Sequence, residues 1–353
     1  MIEIDGSRGE GGGQIVRTAL ALSLATGQAF EIRGIRAGRG RPGLQRQHLA
    51  SVAAAATVGG LTLADVEGAS LGSSRMVFRP GSPRSGDYRF IIGSAGSTTL
   101  VFQTVLPALL GCEGPSIVTV EGGTHNDMAP PFEYLDRTFL AALRKMGARV
   151  EATLERHGFY PAGGGRFSAR MEGGPGGEGT LALKPVDWLE RGALTEGEAI
   201  VVGSRLPDHV FSREAETLRK LLGWPASRIR VETVESAGPG NVILVDQPAE
   251  HAGAVVAAVG RKGRPAEEVA KAAAAAWRAW AEADVPVDGH LADQLLLPMA
   301  LSGGGRFRTT PPTLHTRTNI GVIRHFLPVE IVLTEESDRR WLVEVRGRAE
   351  PAG

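Results

Sequence analysis

The segment Gly6-Ser7-Arg8-Gly9-Glu10-Gly11-Gly12-Gly13-Gln14 joins open backbone to charged side chains. It falls between a short alternating run, 2–5, and a stretch with helical apolar spacing, 14–26. Glycines there let the backbone approach a ligand, and a helix start offers free N–H groups to a phosphate. Glu10 then has two readings: it binds a cation that accompanies the phosphate, or it is solvated in a tight strand-to-helix turn. Arg33, Arg36, Arg39, Arg41 and Arg46 fall within fourteen residues that contain no acid, kept open by Gly38, Gly40 and Gly43. A polyphosphate or nucleic-acid backbone suits such a loop, and so does plain solvent. Gly93-Ser94-Ala95-Gly96-Ser97-Thr98-Thr99 repeats the first loop's geometry ahead of an apolar helix. Within that helix Gln103 needs hydrogen-bond partners, from protein or from ligand. His315-Thr316-Arg317-Thr318-Asn319 precedes the last helix, with Thr318 or a neighbour as its expected cap. A histidine there is either an ordinary surface residue or a nucleophile toward phosphorus, its transition state stabilised by helix N–H groups and arginines.

Other standard chemistries find no support. None of the five lysines follows a glycine, so G-x-x-x-x-G-K-[ST] is absent, as is the Lys-x-Asp-Gly of lysine-adenylating ligases. The eight histidines include no pair four residues apart, and Cys112 is the single cysteine, which removes H-E-x-x-H and cysteine-based zinc sites. Gly68-Ala69-Ser70-Leu71-Gly72 matches G-x-S-x-G, but 73–79 reads as a strand. A nucleophile elbow needs a helix there, so Ser70 belongs to a hairpin.

The 353 residues balance 39 Lys+Arg against 39 Asp+Glu, which argues against a simple polyanion binder but not against a local basic site. With 42% hydrophobic and 22% charged residues the chain is globular, one large domain or two, not disordered, collagenous or coiled-coil. The most apolar stretch, 98–112, is interrupted by Gln103 and Pro107, so no membrane span is expected. No secretory leader is visible at 1–5, and a single cysteine allows no internal disulfide; the expectation is a cytoplasmic protein without membrane partners.

The 48 glycines punctuate a recurring order. Strand 2–5, helix 14–26, strand 30–35, helix 44–58 and a hairpin 61–66 with 76–79 read as β-α-β-α-β-β. The order recurs as strand 88–92, helix 98–110, strand 116–121, helix 132–146 and hairpin 149–155 with 166–171. A third copy is split: strand 180–184, then helix 290–301, strand 306–309, helix 318–326 and strands 329–334 and 341–345. The interval contains strand-like 199–202, helix 213–222, strands 229–234 and 242–245 and an alanine-rich helix 266–282. The fold class expected is α/β (α+β): a three-repeat body, 1–184 with 284–353, and a small α/β domain, 185–283, inserted in the third repeat.

With these residues in view the chain closely resembles the RNA 3′-terminal phosphate cyclases over nearly its whole length. The resemblance runs through Asp5-Gly6 with Gly9 to Gln14, Arg36-Ala37-Gly38-Arg39 with Pro42-Gly43-Leu44, and Arg46-Gln47-His48. It continues through Gly93 to Ser97, His157-Gly158-Phe159-Tyr160-Pro161-Ala162-Gly163-Gly164-Gly165, Leu291-Ala292-Asp293-Gln294 and Thr318-Asn319. It implies repeats similar to the C-terminal domain of bacterial translation initiation factor three, in agreement with the three-repeat reading.

The resemblance also implies a reaction, a ligase activity in RNA processing. ATP converts an RNA 3′-phosphate to a 2′,3′-cyclic phosphate through a histidyl-AMP enzyme and an RNA-(3′)pp(5′)A intermediate. By motif, His315 is the nucleophile, and Gln103, His290, Leu291, Ala292, Asp293 and Gln294 bind ATP, with tyrosine an alternative at position 290 in relatives. Arg17, Arg36, Arg39 and Gln47 contact phosphate or RNA, and Glu10 holds the metal, Mg2+ or Mn2+. The partners implied are RNA with a 3′-phosphate end and ATP; a homodimer is compatible with the sequence. The alternative is a non-catalytic cyclase-like protein of ribosome assembly, but such relatives lose the histidine, and His315 is present.

Overall fold

The computed structural model describes residues 1–174 and 181–347. The chain begins with β1 (Ile2–Asp5), α1 (Gly13–Thr26), β2 (Phe30–Arg33), α2 (Arg46–Val58) and β3 (Arg75–Phe78). β1 pairs parallel with β2, and β3 adds antiparallel, giving the order β1-β2-β3. The strand expected at 61–66 does not form. Thr62 and Asp65 instead bond each other at 2.7 and 2.8 Å and cap a short 3₁₀ turn, Leu63–Asp65. This local side-chain bonding outcompetes the sheet ladder.

β4 (Asp87–Ile91), α3 (Thr98–Leu110) and β5 (Gly114–Gly122) follow, then α4 (Phe132–Tyr134), a π segment Leu135–Leu140 and α5 (Ala141–Lys145). β6 (Arg149–Arg156) and β7 (Gly165–Gly173) complete a sheet in the order β4-β5-β7-β6.

The next strand is β8 (Val186–Trp188), not 180–184; Thr180 of that expectation lies outside the described residues. A separate sheet, β10-β9-β11-β12, contains β9 (Glu198–Ser204), α6 (Asp208–Leu222), β10 (Ile229–Thr233), β11 (Gly240–Gln247), β12 (Ala254–Val259) and α7 (Ala266–Ala283). β12, Ala-Val-Val-Ala-Ala-Val, was not expected, because alanine has low strand preference; pairing with β11 and burial override it. The chain closes with α8 (Gly289–Leu301), β13 (Gly305–Thr309), α9 (Leu314–Phe326), β14 (Val329–Ser337) and β15 (Arg340–Gly347). Their sheet has the order β14-β15-β13-β8, so β8 pairs with a strand more than a hundred residues on, at Gly305–Phe307. Residues 186–188 thus belong to this sheet rather than to the small one between.

Helix α1 buries Ile15, Val16, Ala19, Leu20, Leu22 and Leu24, because α2, α3 and α9 pack around it. A helix apolar on most sides must sit inside the molecule. The small sheet is likewise covered on both faces: Val201 and Val245 face α6 and α7, while Ile200 and Val202 join the main core. Two cross-links reinforce that second face, Val255 N–H to Thr138 Oγ1 at 3.0 Å and Arg137 to Asp246 at 2.8 Å. Among the described residues no helix is long and apolar enough to cross a membrane.

Candidate active site

The loop between β1 and α1 is folded by its own short-range bonds. Asp5 Oδ1 accepts from Ser7 N–H at 3.0 Å and from Ser7 Oγ at 2.6 Å. Gly9 takes φ +59°, and a Cβ there would sit 2.4 Å from Thr318 Oγ1, so glycine lets the loop close onto α9. The contact is made by Glu10 N–H, which donates to Thr318 Oγ1 at 3.0 Å. Thr313, not Thr318, caps α9; its hydroxyl accepts from Thr316 N–H at 3.2 Å. The helix therefore starts at Leu314 and puts His315 in its first turn, where the dipole disfavours a protonated ring.

His315 Nδ1 lies 2.6 Å from Gln14 Oε1, and Gln14 Nε2 donates to Asp293 Oδ2 at 2.8 Å. With its N–H donated to Asp293, the amide turns its oxygen to the imidazole. Nδ1 must then carry the proton, and Nε2 keeps a free lone pair. His315 retains 46% side-chain exposure, enough for an incoming group. Its pKa is lowered by partial burial and by the charges of Arg17, His290 and Arg39, which favours the neutral ring. Asn319 extends the network, donating to Asp293 O at 3.0 Å and accepting from Thr18 Oγ1 at 2.7 Å.

Burial lifts Asp293 to about 7, with Asp288 adding to the effect and Gln14 and Arg17 opposing it. The folded protein thus holds a proton that the unfolded chain loses above 3.8. Stability from this group is full below the unfolded value and declines as pH rises toward about 7. Asp293→Asn should flatten that decline in thermal melts between those pH values; parallel curves for both proteins would contradict it.

Glu10 is only 13% exposed; Oε1 pairs with Arg39, while Oε2 is buried without a hydrogen-bond partner, 3.7 Å from His315 Nδ1. Arg17, one turn into α1, is lowered to about 10 by burial, partly offset by Asp293. Among the described residues no carboxylate forms a salt bridge with Arg17. His48 is pushed down to about 3 by burial and by the charges of Arg17 and Arg36, and its Nδ1 accepts from Gln45 N–H at 3.0 Å.

Gln47 Oε1 accepts from Ser97 N–H at 2.9 Å, joining the arginine-rich loop to the second glycine loop. Arg36 turns back on its own loop, with Nη1 donating to Arg41 O and to Gly43 O. At the start of α8, Asp288 accepts from His290 N–H at 2.7 Å and Leu291 N–H at 3.1 Å, and Tyr134 Oη donates to it at 2.9 Å. His290 is exposed, whereas Leu291 and Ala292 are buried in the core, leaving only their backbone near the helix start. Gln103 Nε2 and Gln294 Oε1 are buried without partners and share no hydrogen bond with the His315 network.

His315, Glu10, Arg39 and Asp293 are thus brought together, and Gln14, Thr18, Thr318 and Asn319 hold them. Gln14 was legible only as the last letter of a glycine motif. Ser70 stands in a bend leading into β3 with no helix after it, and the hairpin expected there is reduced to one bridge between Glu67 and Val77.

A half-exposed imidazole with a free ring nitrogen, set among arginines at a helix start and beside a glycine loop, has the groups that phosphoryl or nucleotidyl transfer needs, on a mixed α/β fold. The family described as "RNA 3'-terminal phosphate cyclase" matches residues 8–333. A protein of that name from Koribacter versatilis (strain Ellin345) is 47% identical over 351 residues, 99% of this chain and 96% of its own. Another from Ectopseudomonas mendocina (strain ymp) is 46% identical over 98% of each chain, and one from Ralstonia nicotianae is 48% identical over 96% of this chain and 94% of its own. The chain belongs to the RNA 3′-terminal phosphate cyclase family. Among solved structures, the enolpyruvyl transferase NikO from Streptomyces tendae aligns with 96% of this chain and 47% of its own at 10% identity, with a TM-score of 0.39.

Proposed function

We propose that this chain uses ATP to convert an RNA 3′-phosphate into a 2′,3′-cyclic phosphate, through a covalent adenylate on His315. The observation that carries the reading is the 2.6 Å bond from His315 Nδ1 to Gln14, which leaves Nε2 free. Nε2 attacks the α-phosphorus of ATP and pyrophosphate leaves. The phosphate end of the RNA then attacks the histidyl-AMP, forming RNA-(3′)pp(5′)A and restoring His315. The ribose 2′-hydroxyl attacks the activated 3′-phosphorus, losing its proton, and AMP departs. A phosphate monoester alone has no comparable leaving group, which is why ATP is consumed.

Arg17 and Arg39 supply positive charge for the triphosphate or the RNA end, and the α9 start adds N–H dipoles. Arg17 has no carboxylate salt bridge among the described residues, and a half-buried cation in that position suits an anionic ligand. Gln47 braces the arginine-rich loop against the second glycine loop, and Arg36 shapes the arginine-rich loop from within. Gln103, Gln294 and the α8 start, with His290, receive the nucleoside; the two orphaned amide atoms match a partner with its own donors and acceptors. Glu10 fits a divalent cation, Mg2+ or Mn2+, because its buried Oε2 lacks a hydrogen-bond partner. Such an ion would neutralise triphosphate charge.

The repeat reading belongs to the same proposal. β4-β5-β7-β6 and β8-β13-β15-β14 share one strand order, and the first sheet lacks one strand of it. The inserted module then begins after Trp188 and ends near Ala283.

Incubation of 3′-phosphorylated RNA with ATP and protein should render the terminal phosphate resistant to phosphatase. An end that stays phosphatase-sensitive under all metal conditions would overturn the reading. Glu10→Ala should demand more metal for adenylation and lower the rate roughly 10²-fold, with melting little changed; an unaltered metal titration would remove Glu10 from the site.

A further inference from the structure

Two loops outside the His315 network bring two imidazoles and a carboxylate together. His125 follows β5, Glu133 lies in α4 and His157 follows β6, and one ligand atom from each lies within 4.8 Å of the others. The loops are locked to each other through the backbone. Gly158 O accepts from Thr124 N–H at 2.9 Å and from His125 N–H at 3.1 Å, and Gly158 N–H donates to Thr124 Oγ1 at 2.8 Å. The His125 and His157 rings stack with centroids 4.9 Å apart. His125 is fully buried, with Nδ1 2.8 Å from Thr124 Oγ1 and Nε2 2.7 Å from Glu133 Oε2.

We propose that His125, Glu133 and His157 form a binding site for a borderline divalent transition-metal ion, with zinc the best match. Two imidazoles and one carboxylate suit zinc, whereas magnesium and calcium prefer oxygen alone. This separates the site from the phosphate-associated cation assigned to Glu10. Thr124 supplies the outer contact a metal-bound histidine needs: with the ion on Nε2, Nδ1–H donates to Thr124 Oγ1. The ion takes the place of the proton in the 2.7 Å contact between His125 Nε2 and Glu133 Oε2, and that ring proton passes to Nδ1, where Thr124 Oγ1 accepts it. Ligand atoms around tetrahedral zinc lie roughly 3.3 Å apart. The His125–Glu133 pair therefore opens by a fraction of an ångström, and the half-buried His157 closes in.

The placement gives the ion a structural role. His157 pairs with Ser236 in an isolated bridge, tying the site to the segment between β10 and β11. Glu133 precedes Tyr134, whose hydroxyl holds the Asp288 cap of α8. A bound ion would clamp the loops at the end of the second sheet to the small sheet and fix the base of Tyr134.

The full chain, stripped with chelator, is dialysed against zinc, passed through a desalting column and analysed for metal. About one zinc per chain should be retained, the stoichiometry of a single site with three protein ligands and a water in the fourth position. His157→Gln and His125→Ala should each weaken retention by at least about tenfold, while Glu10→Ala should not. Cobalt in place of zinc should give the visible absorption of a low-symmetry four-coordinate ion, lost in His157→Gln. Circular dichroism establishes that each variant is folded. Glu133→Gln, which keeps a hydrogen-bonding partner for His125, replaces any histidine variant that is not, with the same tenfold loss expected. A wild-type chain that retains no zinc, or folded variants that retain as much as the wild type, would overturn the proposal.

Discussion

His315→Asn should abolish both self-adenylation and RNA cyclisation. Asparagine keeps much of the size and hydrogen bonding of histidine but has no nucleophilic lone pair. Removal of one acid–base group typically costs roughly 10²–10⁴-fold, and the loss here should exceed that range, because no second nucleophile is held in place. The fold should survive, since His315 is half exposed and α9 is capped by Thr313 rather than by the histidine. ATP binding should also persist, as Gln103, Gln294 and the arginines are untouched. Retained pyrophosphate exchange in this variant would contradict the assignment.

Gln14→Ala should lower adenylation by roughly 10²-fold or more, the effect of losing a positioned group at the reacting centre. It removes the acceptor that holds Nδ1–H, and it strips Asp293 of its donor at the same time. The reacting nitrogen is then neither fixed in tautomer nor aimed. A pH profile distinguishes positioning from a folding defect. In the wild type, burial and the charges of Arg17, His290 and Arg39 depress His315, so the acid limb should fall below the ordinary histidine range. Gln14→Glu places an acid against Nδ1 and should shift that limb upward, because a carboxylate stabilises the protonated ring. An unchanged acid limb in the Glu variant, or full activity in the Ala variant, would separate Gln14 from His315.

Much of the site could be read from local motifs, because phosphate chemistry leaves local marks. The glycine loop around Glu10, the arginine run with Arg39 and the helix start at His315 are each compatible with an anion within ten or so residues, and equally with solvent, until the family resemblance singles them out. The contacts that make them one site are not local. Gln14 and Asp293 are 279 residues apart, Thr18 and Asn319 301, and no spacing rule reaches that far. The histidine cluster is hidden in the same way: His125, Glu133 and His157 share no helical register and meet only when two loops cross-bond at Gly158.

The fold follows the same division. Helices with long apolar faces, such as α1 and α3, are legible within a residue or two. Short elements decided by tertiary pairing are not. β8 forms because Gly305–Phe307 lies alongside it, β12 because β11 does, and 61–66 fails as a strand because Thr62 and Asp65 bond each other first. Arg36 shows the limit for side chains: a basic loop is visible in sequence, but that one of its guanidiniums serves its own carbonyls is not.

The most direct measurement of the central claim is the position of the AMP. Protein incubated with ATP labelled in the α-phosphate and a divalent metal is digested, and the labelled peptide is sequenced by mass spectrometry. The account expects a single adenylated peptide carrying His315, with a bond lost in mild acid and stable in alkali, as a phosphoramidate is and a carboxylate-linked anhydride is not. Label on any other residue, or a cyclising enzyme that carries no AMP at all, would contradict it.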